Sequence, residues 1–139
     1  MEISNFEVCD TLKTIVAEMT QKQRDSIIKK HLQQYKQKQI VCPPLGLVRV
    51  TRNSISETAH HAAKDYYSTI VALHLEKVIR SAKGKSRKCI PKPNSMQKRM
   101  NIKEIHELLV PIKGIGTAKL IIGLDKNGYY VHYCCTALQ

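Results

Sequence analysis

The sequence predicts an α+β fold, with helices packed on a small antiparallel sheet, and three observations carry that prediction. Apolar residues recur at helical spacing from Leu12 to Tyr35 and again from Leu75 to Ala82. Ser54 with Glu57 three residues on fits a capping box that opens a run of good helix formers, ETAHHAAKDYY. Near the C-terminus, Asn127-Gly128 stands between two stretches of alternating apolar residues, the pattern of a β-hairpin.

Taken in order, the 139 residues suffice for one domain, and a hydrophobic content of 42% supplies one core. Residues 1–42 read as an N-terminal helical extension and residues 43–139 as the α+β domain. Within the extension, Leu12, Ile15, Val16, Met19, Ile27, Ile28, Leu32 and Tyr35 keep a helical period, and Thr20 is a candidate N-cap that divides it. Cys42-Pro43-Pro44-Leu45-Gly46 punctuates the chain ahead of a short strand over Leu47–Arg52. In the helical run that follows, Ser68 and Thr69 are the expected place for a bend. Ile105 to Ile112 reads as a strand, although Lys103 to Leu109 would also serve as a helix, and Pro111 confines such a strand to an edge or to its own end.

The hairpin fixes a register if Asn127 and Gly128 are its two turn residues. Leu124 then opposes Val131, Ile122 opposes Tyr133, Leu120 opposes Cys135 and Ala118 opposes Ala137, a set that is apolar throughout or nearly so. The alternate pairs are Asp125 with Tyr130, Gly123 with His132, Ile121 with Cys134, Lys119 with Thr136, and Thr117 with Leu138. Residues two apart along a strand share a face, so Lys119, Thr136, His132 and Tyr130 are expected side by side. Gly123 opposite His132 would leave room there for a ligand. An ordinary half-exposed sheet gives the same pattern without any function.

Twenty-three Lys and Arg against 11 Asp and Glu leave a formal charge of +12, a surface that attracts phosphate backbones. Nine of the basic residues fall between Arg80 and Lys103 with no acid among them. This stretch reads as a basic loop in which Lys83, Lys85, Arg87, Lys88, Lys92, Lys98 and Arg99 contact nucleic acid. Six Tyr, one Phe and no Trp argue against a single-strand binder built on stacking platforms, but leave scope for one or two base-stacking tyrosines. Cys9, Cys42, Cys89, Cys134 and Cys135 include no C-x-x-C pair, and an odd count of thiols fits reduced cysteines in a cytoplasmic protein. No apolar run approaches the roughly 18 residues of a membrane span, and MEISNFEVCD lacks the order of a secretory signal. Export as part of a longer precursor stays open.

Adjacent on a helix, His60 and His61 face about 100° apart, so only one of them can look into a given site. With no clustered carboxylates and no cysteine pair, neither a metal nor another cofactor is expected. RNA cleavage is a reaction for which histidine and lysine suffice, because the 2′-hydroxyl supplies the nucleophile.

The order of elements from about Val48 onward, with HHAA, then STIVALHLEKVIRSAK, then KGIGTAKLIIGLDKNGYYVHYCCTAL, resembles the small RNase-like domains of the barnase, EndoU, colicin and RelE class found in phage and mobile-element polyproteins. That resemblance implies helices on an about four-stranded antiparallel sheet and metal-independent endonucleolysis of RNA. It implies a helix histidine at His60 or His61, a strand lysine at Lys119 and a last-strand hydroxyl at Thr136. His61 or His60 is then the general base or acid, Lys119 the partner of the phosphate charge, Thr136 and Tyr130 substrate positioners, and His132 a second acid/base group. The partners expected are RNA and, for a toxin-like member, an immunity or antitoxin protein. Two rivals remain: a basic RNA- or DNA-binding module without chemistry, and an inhibitor or adaptor whose charge serves an acidic protein.

Overall fold

The computed structural model describes residues 10–90 and 95–138, so Cys9 and Lys92 lie outside the described residues. The α+β class holds. Two helices, α1 (Asp10–Ala17) and α2 (Gln21–Leu32), lead through a short 3-10 turn into a hairpin of β1 (Gln39–Cys42) and β2 (Gly46–Arg49). Three helices follow, α3 (Arg52–Ala62), α4 (Tyr66–Leu73) and α5 (Leu75–Ser81). Then come β3 (Arg87–Cys89), α6 (Ser95–Arg99) and the long strands β4 (Ile102–Ile112), β5 (Gly116–Asp125) and β6 (Tyr130–Leu138).

The helix breaks follow local capping chemistry. Thr20 caps α2 as expected: Gln23 N donates to its Oγ1 at 3.2 Å, and Thr20 N donates to Gln23 Oε1 at 2.9 Å. The cap of α3 is Thr51 rather than Ser54, which occupies the third helical position and takes the return bond from Thr51 N at 2.9 Å. Glu57 is thereby released from capping. The bend expected at Ser68 and Thr69 falls three residues earlier, where Asp65 accepts from Ser68 N at 2.8 Å and starts α4.

The sheet has six strands in the order β1-β2-β6-β5-β4-β3, larger than the four expected. It is also mixed: β2 and β6 run parallel, every other pair antiparallel. Parallel strands need a long crossover, and everything from α3 to β5 supplies it. The two extra strands, β1 and β3, are short. β1 arises inside the segment read as helical, where Gln39, Ile40, Val41 and Cys42 alternate exposed and buried. β3 and α6 interrupt the segment read as a basic loop. Pro111 lies beyond the three residues of β4 that pair with β3, so its missing N–H breaks no bond on that side.

Alternation along β5 separates two apolar clusters. The larger holds Ala118, Leu120 and Ile122 with the helices, and the smaller packs Met100, Ile102, Ile105, Val131, Tyr133 and Cys134 around Ile121. Residues before position 43 share the larger core through Val16, Ile28, Leu32, Ile40 and Cys42. Arg24 fastens α2 to α3 by donating from Nε to Ala63 O at 2.8 Å and from Nη1 to Met19 O at 2.7 Å.

The C-terminal hairpin departs from the expected register in one half only. Lys119 opposes Thr136, Leu120 opposes Cys135 and Ile121 opposes Cys134, as the alternation predicts. Past that point Tyr133 is an extra residue on β6, and the pairs become Ile122 with His132, Gly123 with Val131 and Leu124 with Tyr130. The turn itself spans Lys126, Asn127 and Gly128, closed by Asp125 N donating to Tyr129 O at 2.9 Å. Asp125 Oδ1 accepts from both Asn127 N and Tyr129 N at 2.9 Å, and Gly128 takes a positive φ of 87°. One extra residue in the turn and one at the bulge cancel, which preserves the far register. Between them the faces of β6 are reversed.

Candidate active site

Glu57 and His61 lie one turn apart on α3, and His61 Nε2 donates to Glu57 Oε1 at 2.8 Å. The same oxygen accepts from Tyr133 Oη at 3.3 Å, the side chain that the bulge in β6 sets at this border. Glu57 is only 13% exposed while His61 keeps 42%, so a shielded carboxylate orients an imidazole that solvent can reach. Thr58, the next residue, is hydrogen-bonded to Cys134 on β6, and Cys134 feels both the negative charge of Glu57 and the positive charge of Lys119. Lys119 stands across from Thr136 and lies 3.6 Å from Glu107 Oε2. Glu57, His61 and Tyr133 thus meet where α3 touches β6, Lys119 faces Thr136 on the adjoining β5–β6 pair, and Cys134 lies within reach of the charges of both Glu57 and Lys119.

Two of the residues expected there are elsewhere. His132 is on the opposite face of β6 from Thr136, fully buried and hydrogen-bonded through Nε2 to Thr58 Oγ1 at 3.2 Å. Loss of solvent around the ring pulls its pKa down to about 3, with the Cys134 backbone opposing the shift, so it stays neutral and cannot exchange protons with a substrate. Tyr130 shares the face of His132 and meets His106 edge to face, with ring centroids 5.7 Å apart. The room expected beside Gly123 is filled by the Ile102 side chain. His60 turns away from Glu57 into a depression lined by Gln21, Lys22, Asp25 and Ala63, its ring 5.0 Å from that of His61.

A second polar group surrounds Tyr130. Ser86 Oγ and His106 Nδ1 are hydrogen-bonded at 2.9 Å, and Lys88, cross-strand from His106, makes an ion pair with Glu104. That pairing raises the Lys88 pKa and lowers that of Glu104, so both stay charged at neutral pH. No local pattern along the chain points to this group, because no turn motif sets the register of β3 on β4. Of the basic residues expected to touch nucleic acid, Lys83, Lys85, Arg87, Lys88, Lys98 and Arg99 are all exposed, on or beside β3 and α6.

Three of the cysteines are poor nucleophiles here. Burial pushes the Cys134 thiol up to about 12, Cys42 up to about 11 and Cys135 well above its usual range. Among the described residues, no three of His, Cys, Asp and Glu converge as a cation site requires. None of the described helices is long and apolar enough to cross a membrane. The chemistry available on α3 is proton transfer at an imidazole oriented by a carboxylate.

The large polyvalent protein-associated domain 3 family has a model that matches residues 19–133. The chain belongs to that family. The large polyvalent protein-associated domain thus takes in α2 and β1 as well as the later elements, together with His61, Lys119 and Tyr133, and ends three residues before Thr136. Its description agrees with the coarser part of the resemblance, a domain carried by large multifunctional proteins, and names no ribonuclease activity. No curated protein and no solved structure matches the chain.

Proposed function

We propose that this domain is a metal-independent endoribonuclease. The observation that carries the reading is the single carboxylate oxygen of Glu57 that holds both His61 and Tyr133, with Lys119 and Thr136 on the adjoining β5–β6 pair of a chain of charge +12. His61, donating to Glu57 through Nε2, leaves Nδ1 to take the proton of an RNA 2′-hydroxyl, and Glu57 offsets the imidazolium charge that results. The 2′-oxygen bonds to phosphorus, Lys119 counters the charge of the phosphorane, and Thr136 positions a phosphate oxygen. The 5′-oxygen departs with a proton from water. The products are a 2′,3′-cyclic phosphate and a 5′-hydroxyl.

The ion pair of Lys119 with Glu107 and the sealing of His132 favour a second reading, a binding module of the same fold without chemistry. Incubation with total RNA in EDTA separates the two. Cleavage is expected to yield cyclic-phosphate ends, to stop with a 2′-deoxy substitution at the scissile nucleotide, and to fall about 10² to 10⁴-fold in His61→Ala. Lys119→Ala is expected to lose on the order of a hundredfold, and His60→Ala to change little. Intact RNA at every pH, with tight salt-sensitive binding, selects the binding module. Loss of cleavage in His106→Ala but not in His61→Ala moves the chemistry to the other face of the sheet.

A further inference from the structure

Three exposed apolar side chains stand in a row at one end of the sheet, two on neighbouring strands and the third just ahead of β6. Val41 on β1 pairs with Leu47 on β2, and one step back from the parallel pair Val48–Tyr130 brings Leu47 beside Tyr129. Val41 is 46% exposed, Leu47 54% and Tyr129 47%. Single exposed apolar residues are ordinary on any protein, but a row that runs over β1, β2 and the residue that enters β6 is a patch. The row also carries a cation. The Arg49 guanidinium lies over the Tyr129 ring, 3.6 Å from its centroid, the contact distance of a stacked pair.

The platform is held in place beforehand. Tyr129 N is fixed by Asp125 Oδ1 at 2.9 Å, and Lys126 N donates to Asn101 O at 2.9 Å, which ties the hairpin tip to the chain ahead of β4. Residues 36–52 carry Lys36, Lys38, Arg49 and Arg52 and no carboxylate. That charge decides the occupant. A second copy of a chain with net charge +12 would bring more positive charge to a positive patch, whereas a nucleic acid strand brings phosphates to the cations and bases to the apolar row.

We propose that Val41, Leu47, Arg49 and Tyr129 form a stacking platform for an unpaired base of single-stranded RNA, distinct from the site at Glu57 and His61. The choice of RNA as the strand rests on the ribonuclease reading; the platform itself does not require cleavage. One tyrosine with one arginine accommodates one base or two, in keeping with a chain poor in aromatic residues.

A 2′-O-methyl decanucleotide bearing 2-aminopurine, which cannot be cleaved through its 2′-position, keeps the test independent of catalysis. Binding is expected to quench the fluorescence by stacking. Tyr129→Leu, which keeps the apolar contact and removes the ring, is expected to abolish the quench and weaken affinity about tenfold without changing the salt slope. Arg49→Gln is expected to weaken binding and reduce the slope by about one phosphate contact. Thermal unfolding of each variant checks that it is folded. Quenching by a protein that leaves native RNA intact keeps the platform and removes the ribonuclease. Unchanged quenching and affinity in both Tyr129→Leu and Leu47→Ser overturn the proposal, as does a concentration-dependent dimer in sedimentation that Leu47→Ser dissolves.

Discussion

Burial holds the His132 imidazole neutral at about pKa 3, whereas the same group in the unfolded chain titrates near 6.5. The unfolded state therefore takes up the proton first as pH falls, and the stability that a neutral His132 permits is complete above pH 6.5 and lost below it. Between pH 7 and 4.5 the loss from this one group is about 2 to 3 kcal/mol, at 1.36 kcal/mol for each pH unit below 6.5. Urea unfolding at a series of pH values is expected to show midpoints falling over that interval, and His132→Gln is expected to flatten the fall. An equally steep acid limb in the variant assigns it to other groups. His132 also marks the limit of what an isolated strand can tell. Its polar character argues for the solvent face, and only the bulge at Tyr133, a matter of how β6 meets α3, turns it inward.

Elements whose boundaries rest on neighbouring residues were readable from the chain itself. Thr20 begins α2 through a bond to a residue three positions on, and Asn127-Gly128 marks a reversal whatever its length. Elements that depend on distant partners were not. β1 is four residues long and owes its place to β2, and the short β3 exists because β4 offers an edge. The candidate site divides the same way: Lys119 and Thr136 meet as the alternation requires, while the link from Glu57 to Tyr133 spans 76 residues. A similar long-range bond closes the outer half of β6, where Ala137 N donates to Ser68 Oγ on α4 at 2.9 Å. Ser68→Ala leaves that N–H without its partner and is expected to cost about 1 to 3 kcal/mol, read as a lower urea midpoint with faster amide exchange at Ala137. Unaltered exchange at Ala137 means that water replaces the hydroxyl.

At the scale of the whole molecule, the charge gives the most direct handle on the RNA reading. The cations of β3 and its approach are exposed, but Lys88 is committed to Glu104, so Lys85 and Arg87 are expected to carry the larger share of phosphate contact. Neutralising Lys85, Arg87 and Lys88 together is expected to reduce the slope of log affinity against log salt, by about 0.7 to 0.9 for each contact removed. An unchanged slope assigns the segment to solvation alone. The order of the strands has a further effect, on the time at which the protein can fold. β6, the last strand made, sits between β2 and β5 and is all that joins the β1–β2 hairpin to the rest of the sheet. A ribosome that has reached only Asn127 has made five of the six strands, yet the sheet is still in two pieces, each with an edge waiting for the strand that comes next. Joining the two pieces waits for β6, so the patch proposed above as a platform for RNA, which reaches from β2 to the residue that enters β6, is assembled only after synthesis has passed the hairpin turn.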